Sequence, residues 1–564
     1  MSLDAIQRQL LWDRLLAIIE EQAQAIMRTA FCTIVRESGD LSAGIFDTQG
    51  RMIAQAQTGT PGFIHTLAGV VAHVIARHPL ADASPGDSWI TNDPWLNCGH
   101  LHDFSVIRPV FLGTRPVALI ACAAHVVDVG GRGLGPDARQ IYEEGLRIPP
   151  LRWTYHETVD PALLELIRIN VREAGQVEGD LLSLTAANRA AEARLLRTLD
   201  EYGLDSLDEI AAHIIETSRN AMRDSIARLP DAQHSYRMRI DGYDSPLDLC
   251  ARMQARSGGI DVDFTGTSPA TSFGINVPMN YSTSYAWFGI KCILAPDVPT
   301  NAGSLEPVRF TAPAGCVLNA LHPAPVSARH IVGHMLPDLM IGCLDSFLPA
   351  GCQAESGAAL WGPQFRSAPA QPGEDPGPSF ETITVHSGGS GGRPGKDGLS
   401  ATAFPTNLRT VPVEVIEANS PLVIWKRELR PDSAGAGQFR GGYGQSLEIG
   451  HRHDAPFLVS AMFDRVDNPA KGRRGGSDGT PGRVSLDSGE ALRSKGVQLV
   501  PRGRRLRLDL PGGAGLGNPR ERVPAVVRAE VSAGLLSPGE AQAHYHLDPD
   551  EIAAPDPAKP AHRT

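Results

Sequence analysis

An α+β fold of several lobes, with helical N-terminal and middle segments and a β-rich C-terminal half, is the architecture this sequence predicts. Three observations carry it. Apolar residues recur at helical spacing in residues 4–30 and 161–228, they alternate with polar ones from 235 to 268, and beyond 380 short apolar runs are separated by dense glycine. A chain of 564 residues exceeds what one core can organise, so about two to four domains are expected.

Residues 4–30 read as one amphipathic helix, with Leu11, Leu15, Ile18 and Ile19 on its apolar face. Residues 43–57 read as a hairpin turned by Thr48-Gln49-Gly50, and the turn Glu37-Ser38-Gly39-Asp40 ahead of it presents Asp40 as a carboxylate. A helix over 65–78 leads to two strand-like runs. From 161 to 228 the pattern is helical, with Leu181, Leu182, Leu184, Ala187, Ala191, Leu195 and Leu199 in a stripe and Gly203 as its stop. Alternation in Tyr236–Ile240 and Ile260–Phe264 places an α-to-β transition near 230, and helices return at 281–294 and 329–348. The stretch 365–380, rich in Pro, Gly and Ser, reads as a loop, and Gly-dense turns between short strands continue to 517. A helical stretch over 523–545 contains the turn Leu536–Glu540 and leads to a polar tail. The expected regions are 1–230, 231–364, the loop 365–380, 381–522 and 523–564.

The formal net charge is -11, with 42% hydrophobic and 20% charged residues, which argues against a nucleic-acid partner. The Arg502 to Arg507 patch interleaves with Leu506, Leu508 and Leu510, as in a half-buried strand with an Arg-rich outer face. No basic segment followed by an apolar core opens the chain, and no run of about eighteen apolar residues occurs. A cytoplasmic protein without membrane contact is the expectation. Eight Cys occur without a Cys-x-x-Cys pair, and most read as buried free thiols; Cys98, two residues before His100, is the exception and reads as an inert lining residue or a redox-sensitive thiol.

Chemistry concentrates between Thr91 and Gly131. One run leads to Gly99, His100, Leu101, His102 and Asp103; the other, Pro116 to Ala124, ends in His125 and is followed by Asp128, Gly130 and Gly131. Imidazole and carboxylate groups delivered from neighbouring strand ends are what a divalent metal needs, because both offer electron pairs at neutral pH. A histidine at a strand end is also a common hydrogen-bonded structural residue. His102 lies on the opposite face from Asp103 if the segment is extended, and reads as a general acid or base or as a surface histidine. Glu143 and Glu144 read either as loop carboxylates reaching the site or as a solvated acidic pair.

Three nucleotide and nucleophile motifs fail. Gly388–Gly392 matches the Gly-x-Ser-x-Gly elbow in form, but no helical pattern follows it. Gly395-Lys396 is followed by Asp397 and has Ser390 where a phosphate loop needs Gly. Gly435–Gly444 lacks the third Gly of the dinucleotide fingerprint and reads as tight β turns with close backbone packing.

Blocks along nearly the whole chain resemble the hydantoinase B/oxoprolinase family. They include Glu37–Ser42, Asn92–Trp95 through Gly99–Leu101 and Asp103, Ala124-His125 through Asp128–Gly131, and Glu143–Pro150. Further matching blocks are Asn301–Gly303, Pro412–Glu417, Leu429–Ser433 with Phe439–Gly442, and Pro511–Gly513 with Gly517–Pro519. The resemblance implies a heteromeric, ATP-dependent enzyme. In such an enzyme a separate, hydantoinase A-type partner binds ATP and phosphorylates the carbonyl oxygen of a cyclic amide, and the present chain opens the lactam at a divalent metal, Zn or Mn. The ligands of that metal would fall on Asp40, His100, Asp103 and His125, with Asp128 orienting an imidazole and His102, Asp128 and Glu144 as catalytic candidates. Asn97-Cys98-Gly99 and His102 depart from the family's usual residues around the first imidazole. A component of an ATP-dependent ketone carboxylase and a non-catalytic structural component are the alternatives.

Overall fold

Helix α1, Ala5–Thr29, shows how directly the N-terminal sequence sets its structure in the computed structural model, which describes residues 3–357, 360–368 and 379–547. Asp4 accepts from the Gln7 N–H and donates its own N–H to the Gln7 side chain, closing a capping box. Leu11, Leu15, Ile18, Ile19 and Ile26 are at most 2% exposed, so the predicted stripe is the buried one.

After a short helix α2 (Thr33–Arg36) comes a sheet of seven strands: β1 (Leu41–Phe46), β2 (Met52–Gln55), β3 (Ser88–Thr91), β4 (Asp103–Leu112), β5 (Arg115–His125), β6 (Leu151–Tyr155) and β7 (Thr158–Val159). Their spatial order is β2-β1-β5-β4-β3-β6-β7. Residues 117–124 of β5 are all at most 3% exposed, so both faces of the pleat are covered, which explains why this strand reads as a continuous apolar run. Helix α3 (Phe63–Arg77) packs on β1, β4 and β5. Helices α4 (Pro161–Asn170), α5 (Ala174–Glu201) and α6 (Asp208–Ile226) fill the expected helical region, with α5 lying against α1, β4 and β5. Gly203, at φ +61°, ends α5 as its sequence position suggests. Helix α7 (Met279–Leu294) packs on α3.

The alternating region forms the strands Ala232–Ile240, Leu247–Arg256 and Gly259–Asp263, joined in parallel by Val308–Thr311. The helix expected over 329–348 divides into His330–Gly333 and Leu336–Asp345, because Pro337 has no N–H and fits only a first turn. The C-terminal helical stretch likewise divides into Pro524–Ser532 and Pro538–Tyr545, with Ser537 capping the second. Gln364–Ser367 is a strand within the stretch read as a loop; most of that loop, and the polar tail from 548, lie outside the described residues.

The chain divides into two compact units, one of Met1–Met238, Asp248–Cys343 and Thr406–Val411, the other of Arg239–Leu247, Leu344–Pro405 and Pro412–Thr564. In the second, the glycine-dense runs were expected to be turns between strands, which is corrected, whereas the close backbone packing expected of Gly435–Gly444 is present. Gly388–Gly392, Gly441-Gly442 and Gly512-Gly513 carry no positive φ and lie side by side, bonded through their backbones: Gly389 to Pro511, Gly442 to Ser390 and Gly513 to Gly442. A Cβ on Gly389 would stand 1.9 Å from the Gly442 carbonyl oxygen, so glycine is required by close approach. Among the described residues no helix is long and apolar enough to cross a membrane.

Candidate metal centre

Three strand ends meet in the first unit. Asp103 opens β4 and His125 closes β5, and the two are direct cross-strand partners. Leu41, which opens β1, pairs with Ala124, and the His125 N–H donates to the Asp40 carbonyl at 3.2 Å. Sheet register alone therefore sets Asp40, His125 and Asp103 side by side. His100 arrives from the turn ahead of β4, where Asn97 donates to the Asp103 carbonyl at 2.7 Å and accepts from Ser105 at 2.7 Å. Gly99 sits at φ +83°, and a Cβ there would lie 3.0 Å from the Tyr281 Cβ, so this turn needs glycine on both counts.

The side chains of His100, Asp103 and His125 are buried, and one donor atom from each lies within 4.8 Å of the others. Asp103 Oδ1 is 2.9 Å from His100 Nε2 and 3.3 Å from His125 Nδ1, and Asp40 Oδ2 is 3.8 Å from His125 Nδ1. His100 Nδ1 stands 3.1 Å from the Ser327 carbonyl oxygen, which only accepts, so Nδ1 carries the proton. Burial and the nearby Arg329 lower the His100 pKa to about 4, leaving Nε2 as a bare lone pair. Among the described residues, neither that nitrogen nor Asp103 Oδ1 has a hydrogen-bond partner. Two lone pairs facing each other at 2.9 Å in a buried site call for a cation between them, and this donor set fits a divalent metal.

Charge around the cluster is set by Arg329. Its Nη2 donates to Asp103 Oδ2 at 2.6 Å, its Nε to the Cys98 carbonyl at 2.8 Å, and its guanidinium lies 4.1 Å over the Tyr281 ring. Burial alone would raise the Asp103 pKa, but His100 and Arg329 hold it well below the carboxylate range. Burial raises Asp40 to about 6, although His125 opposes the shift. Burial, with the nearby Asp103, pushes the Cys98 thiol well up and keeps it protonated.

The other candidates separate on this geometry. His102 is 1% exposed, so its reading as a surface histidine is overturned: strand β4 begins only at Asp103, and alternation does not apply to the turn before it. Its ring lies 5.4 Å from that of His100 and 5.3 Å from that of His125, and neither ring nitrogen has a hydrogen-bond partner among the described residues. The reading that Asp128 orients an imidazole is also corrected. Its carboxylate accepts from the Gly130 N–H at 2.9 Å, from the Arg172 guanidinium at 2.8 Å and from the Arg172 N–H. Glu143 pairs with Arg132 at 2.6 Å, as a solvated acid would. Its neighbour Glu144 is 1% exposed, and its Oε1 accepts the N–H groups of Val326 at 2.6 Å and Ser327 at 2.9 Å. Asp93 pairs with Arg147 at 3.1 Å, away from the cluster.

Sequence reasoning missed Arg329 and Ser327. A lone Arg 226 residues from its carboxylate carries no spacing signal, and a backbone carbonyl has no residue signature at all. Tyr281, Tyr285 and His334 form an aromatic group beside Arg329, with the Tyr281 hydroxyl 3.3 Å from His334 Nε2.

Comparison with known proteins agrees in extent with this architecture. The family profile described as hydantoinase B/oxoprolinase matches residues 4–519. The chain is 28% identical to a Pseudomonas sp. (strain NS671) protein provisionally designated the B component of a D-/L-hydantoinase, over 98% of this chain and 97% of that one. It is 28% identical to the beta chain of the Pseudomonas jessenii caprolactamase, over 93% of each, and 26% identical to 5-oxoprolinase 1 of Arabidopsis thaliana, over 91% of this chain but 42% of that longer one. In fold it is similar to the solved ATP-dependent caprolactamase from Pseudomonas jessenii, with a TM-score of 0.87 and 24% identity over 98% of each chain. It is also similar in fold to a nucleotide-free acetone carboxylase structure, with a TM-score of 0.82 and 18% identity over 96% of this chain and 79% of that one.

Proposed function

The chain belongs to the hydantoinase B/oxoprolinase family, and from that premise we propose that it is the metal-binding subunit of an ATP-dependent cyclic amidase, paired with a hydantoinase A-type partner that binds ATP and phosphorylates the substrate carbonyl. The observation that carries this reading is the buried meeting of His100 Nε2 and Asp103 Oδ1, with His125 beside them. The A. thaliana relative supports a division of labour, since the matched region is 42% of its length and the remainder has no counterpart in this chain.

His100, Asp103 and His125, with Asp40 at the edge, would hold Zn or Mn. Such an ion supplies Lewis-acid polarisation of an oxygen in its coordination sphere. In net terms, ring opening consumes one water, and conversion of ATP to ADP and phosphate consumes another. The chain's own residues shape that reaction in three ways. Arg329 keeps Asp103 ionised, burial of the cluster excludes bulk water, and the Ser327 carbonyl fixes which nitrogen of His100 bears the proton. Burial lowers the His102 pKa well below the usual imidazole value, so the ring is neutral, with one N–H and one lone pair and no hydrogen-bond partner among the described residues. As a relay, His102 would accept a proton at its lone pair while its N–H proton passes to the departing ring nitrogen, which returns the ring to its neutral form.

The test is phosphate release by this chain copurified with its ATP-binding partner, across lactams, hydantoins and ketones, with and without bicarbonate. Lactam- or hydantoin-dependent turnover that ignores bicarbonate and disappears in His125→Ala supports the reading. Turnover that requires both a ketone and bicarbonate makes the protein part of a carboxylase, and a metal-free complex whose activity survives His100→Ala makes the cluster structural.

A further inference from the structure

Glu144 makes no hydrogen bond or ion pair with any of the four candidate ligands, yet its bonds lead to two of them. Its Oε1 accepts from two successive backbone N–H groups, Val326 at 2.6 Å and Ser327 at 2.9 Å. The same residue, Ser327, turns its carbonyl oxygen to His100 Nδ1 at 3.1 Å. Two residues further on, Arg329 reaches Asp103 Oδ2 at 2.6 Å and the Cys98 carbonyl at 2.8 Å. Residues 326–329 thus form a strap that grips both ends of the pair meeting at 2.9 Å, and the strap is pinned from behind by one carboxyl group.

We propose that Glu144 is a positioning residue for the metal centre: by holding the Val326 and Ser327 amides it aims the Ser327 carbonyl at His100, which fixes the imidazole tautomer with Nε2 free toward Asp103. Carbonyl or carboxylate partners of this kind orient a metal-bound imidazole, and their loss typically lowers metal affinity by about 10- to 100-fold. The inference rests on the reading that this cluster holds a divalent ion, and it replaces a direct catalytic role for Glu144. What the strap requires of residue 144 is one well-placed acceptor oxygen. A glutamine supplies it; an alanine does not. A catalytic acid or base, by contrast, needs the ionisable carboxyl that glutamine lacks.

The experiment measures Zn²⁺ and Mn²⁺ affinity by competition with a chromophoric chelator, on the full chain with its partner, for the parent protein, Glu144→Gln and Glu144→Ala. Turnover and thermal melting of the metal-free forms are recorded alongside. The proposal expects Glu144→Gln to keep metal affinity and turnover close to the parent's. It expects Glu144→Ala to lose affinity by about 10- to 100-fold, with turnover recovering when metal is raised to saturation. Glu144→Gln that binds metal normally but has lost turnover would overturn the proposal in favour of a catalytic carboxyl, and so would Glu144→Ala that binds metal as the parent does. Should Glu144→Ala not fold, the glutamine variant still decides between the two roles. A parent protein that binds neither ion refutes the metal reading itself, an outcome distinct from either of these.

Discussion

Asp103 links three charged or polar partners through two oxygens, with His100 and His125 on one and Arg329 on the other. Asp103→Asn keeps the size and removes the charge, and it leaves Arg329 buried without a counter-ion. Metal affinity is expected to fall by at least about 100-fold, read by equilibrium dialysis, since a ligand is lost together with the partner that shapes it. Arg329→Leu tests the other side of the pair. It strands a buried carboxylate and should destabilise the metal-free protein by about 3–5 kcal/mol, read by urea denaturation. At this scale the sequence reveals residues whose type announces chemistry, namely Asp40, His100, Asp103 and His125 near strand ends. It misleads on those whose role depends on a distant partner. Asp128 stands in a suggestive block but its bonds go to Arg172, and His102 precedes by one residue the strand whose alternation would place it at the surface.

Elements follow the same division between local rule and distant contact. The capping box of α1, the stripe of α5 and the alternation of the strands after 231 are local, and the structure reproduces them within a few residues, except that Leu182, one position from Leu181 and so turned off the buried face, is 39% exposed. The glycine segments are not local. Their composition suggests turns, but their course is set by backbone contacts between runs dozens of residues apart. Gly441→Ala would drive a Cβ to 1.8 Å from the Gly513 carbonyl oxygen, and a backbone on both sides leaves no flexible atom to move. A loss of about 3 kcal/mol or more is expected, beyond ordinary overpacking. Gly539, in the helix Pro538–Tyr545, has open space where a Cβ would stand, with nothing within 4 Å, so Gly539→Ala should be neutral or stabilising by up to about 1 kcal/mol. Comparing the two melting curves checks that close approach, rather than backbone freedom, makes glycine necessary in the second unit.

At the scale of the whole molecule, buried ionisable groups set the response to pH. Burial lowers His334 and His386 to about 3, and His65 and His100 to about 4, so below about pH 6.5 the unfolded chain binds protons that the folded chain refuses. Each such group removes about 1.4 kcal/mol of stability per pH unit as pH falls through its window. Glu144, raised by burial to about 8, acts oppositely: the folded chain keeps its proton while the unfolded chain has lost it, so stability declines as pH rises from 4.5 to 8. The melting temperature of the metal-free protein should therefore peak near pH ~6.5 and fall on either side; a steady rise to pH 8 would contradict these assignments. The topology at this scale is the least legible part of the sequence. Thr406–Val411 belongs to the first unit although its neighbours belong to the second, because Arg409 donates its N–H to the Ser38 carbonyl at 3.0 Å and Asn407 its side chain to the Gly59 carbonyl at 2.9 Å. Backbone acceptors of this kind leave no trace in composition or periodicity.

A chain that opens a cyclic amide at a metal centre in a reaction coupled to ATP must release ring-opened product and phosphate together. The most direct measurement counts ring-opened amino acid and inorganic phosphate in the same reaction of the copurified pair, on a lactam substrate and without bicarbonate. One phosphate is expected for each ring opened, and neither product when His125 is replaced by alanine. Ring opening without phosphate, or phosphate released only with a ketone and bicarbonate, would contradict it.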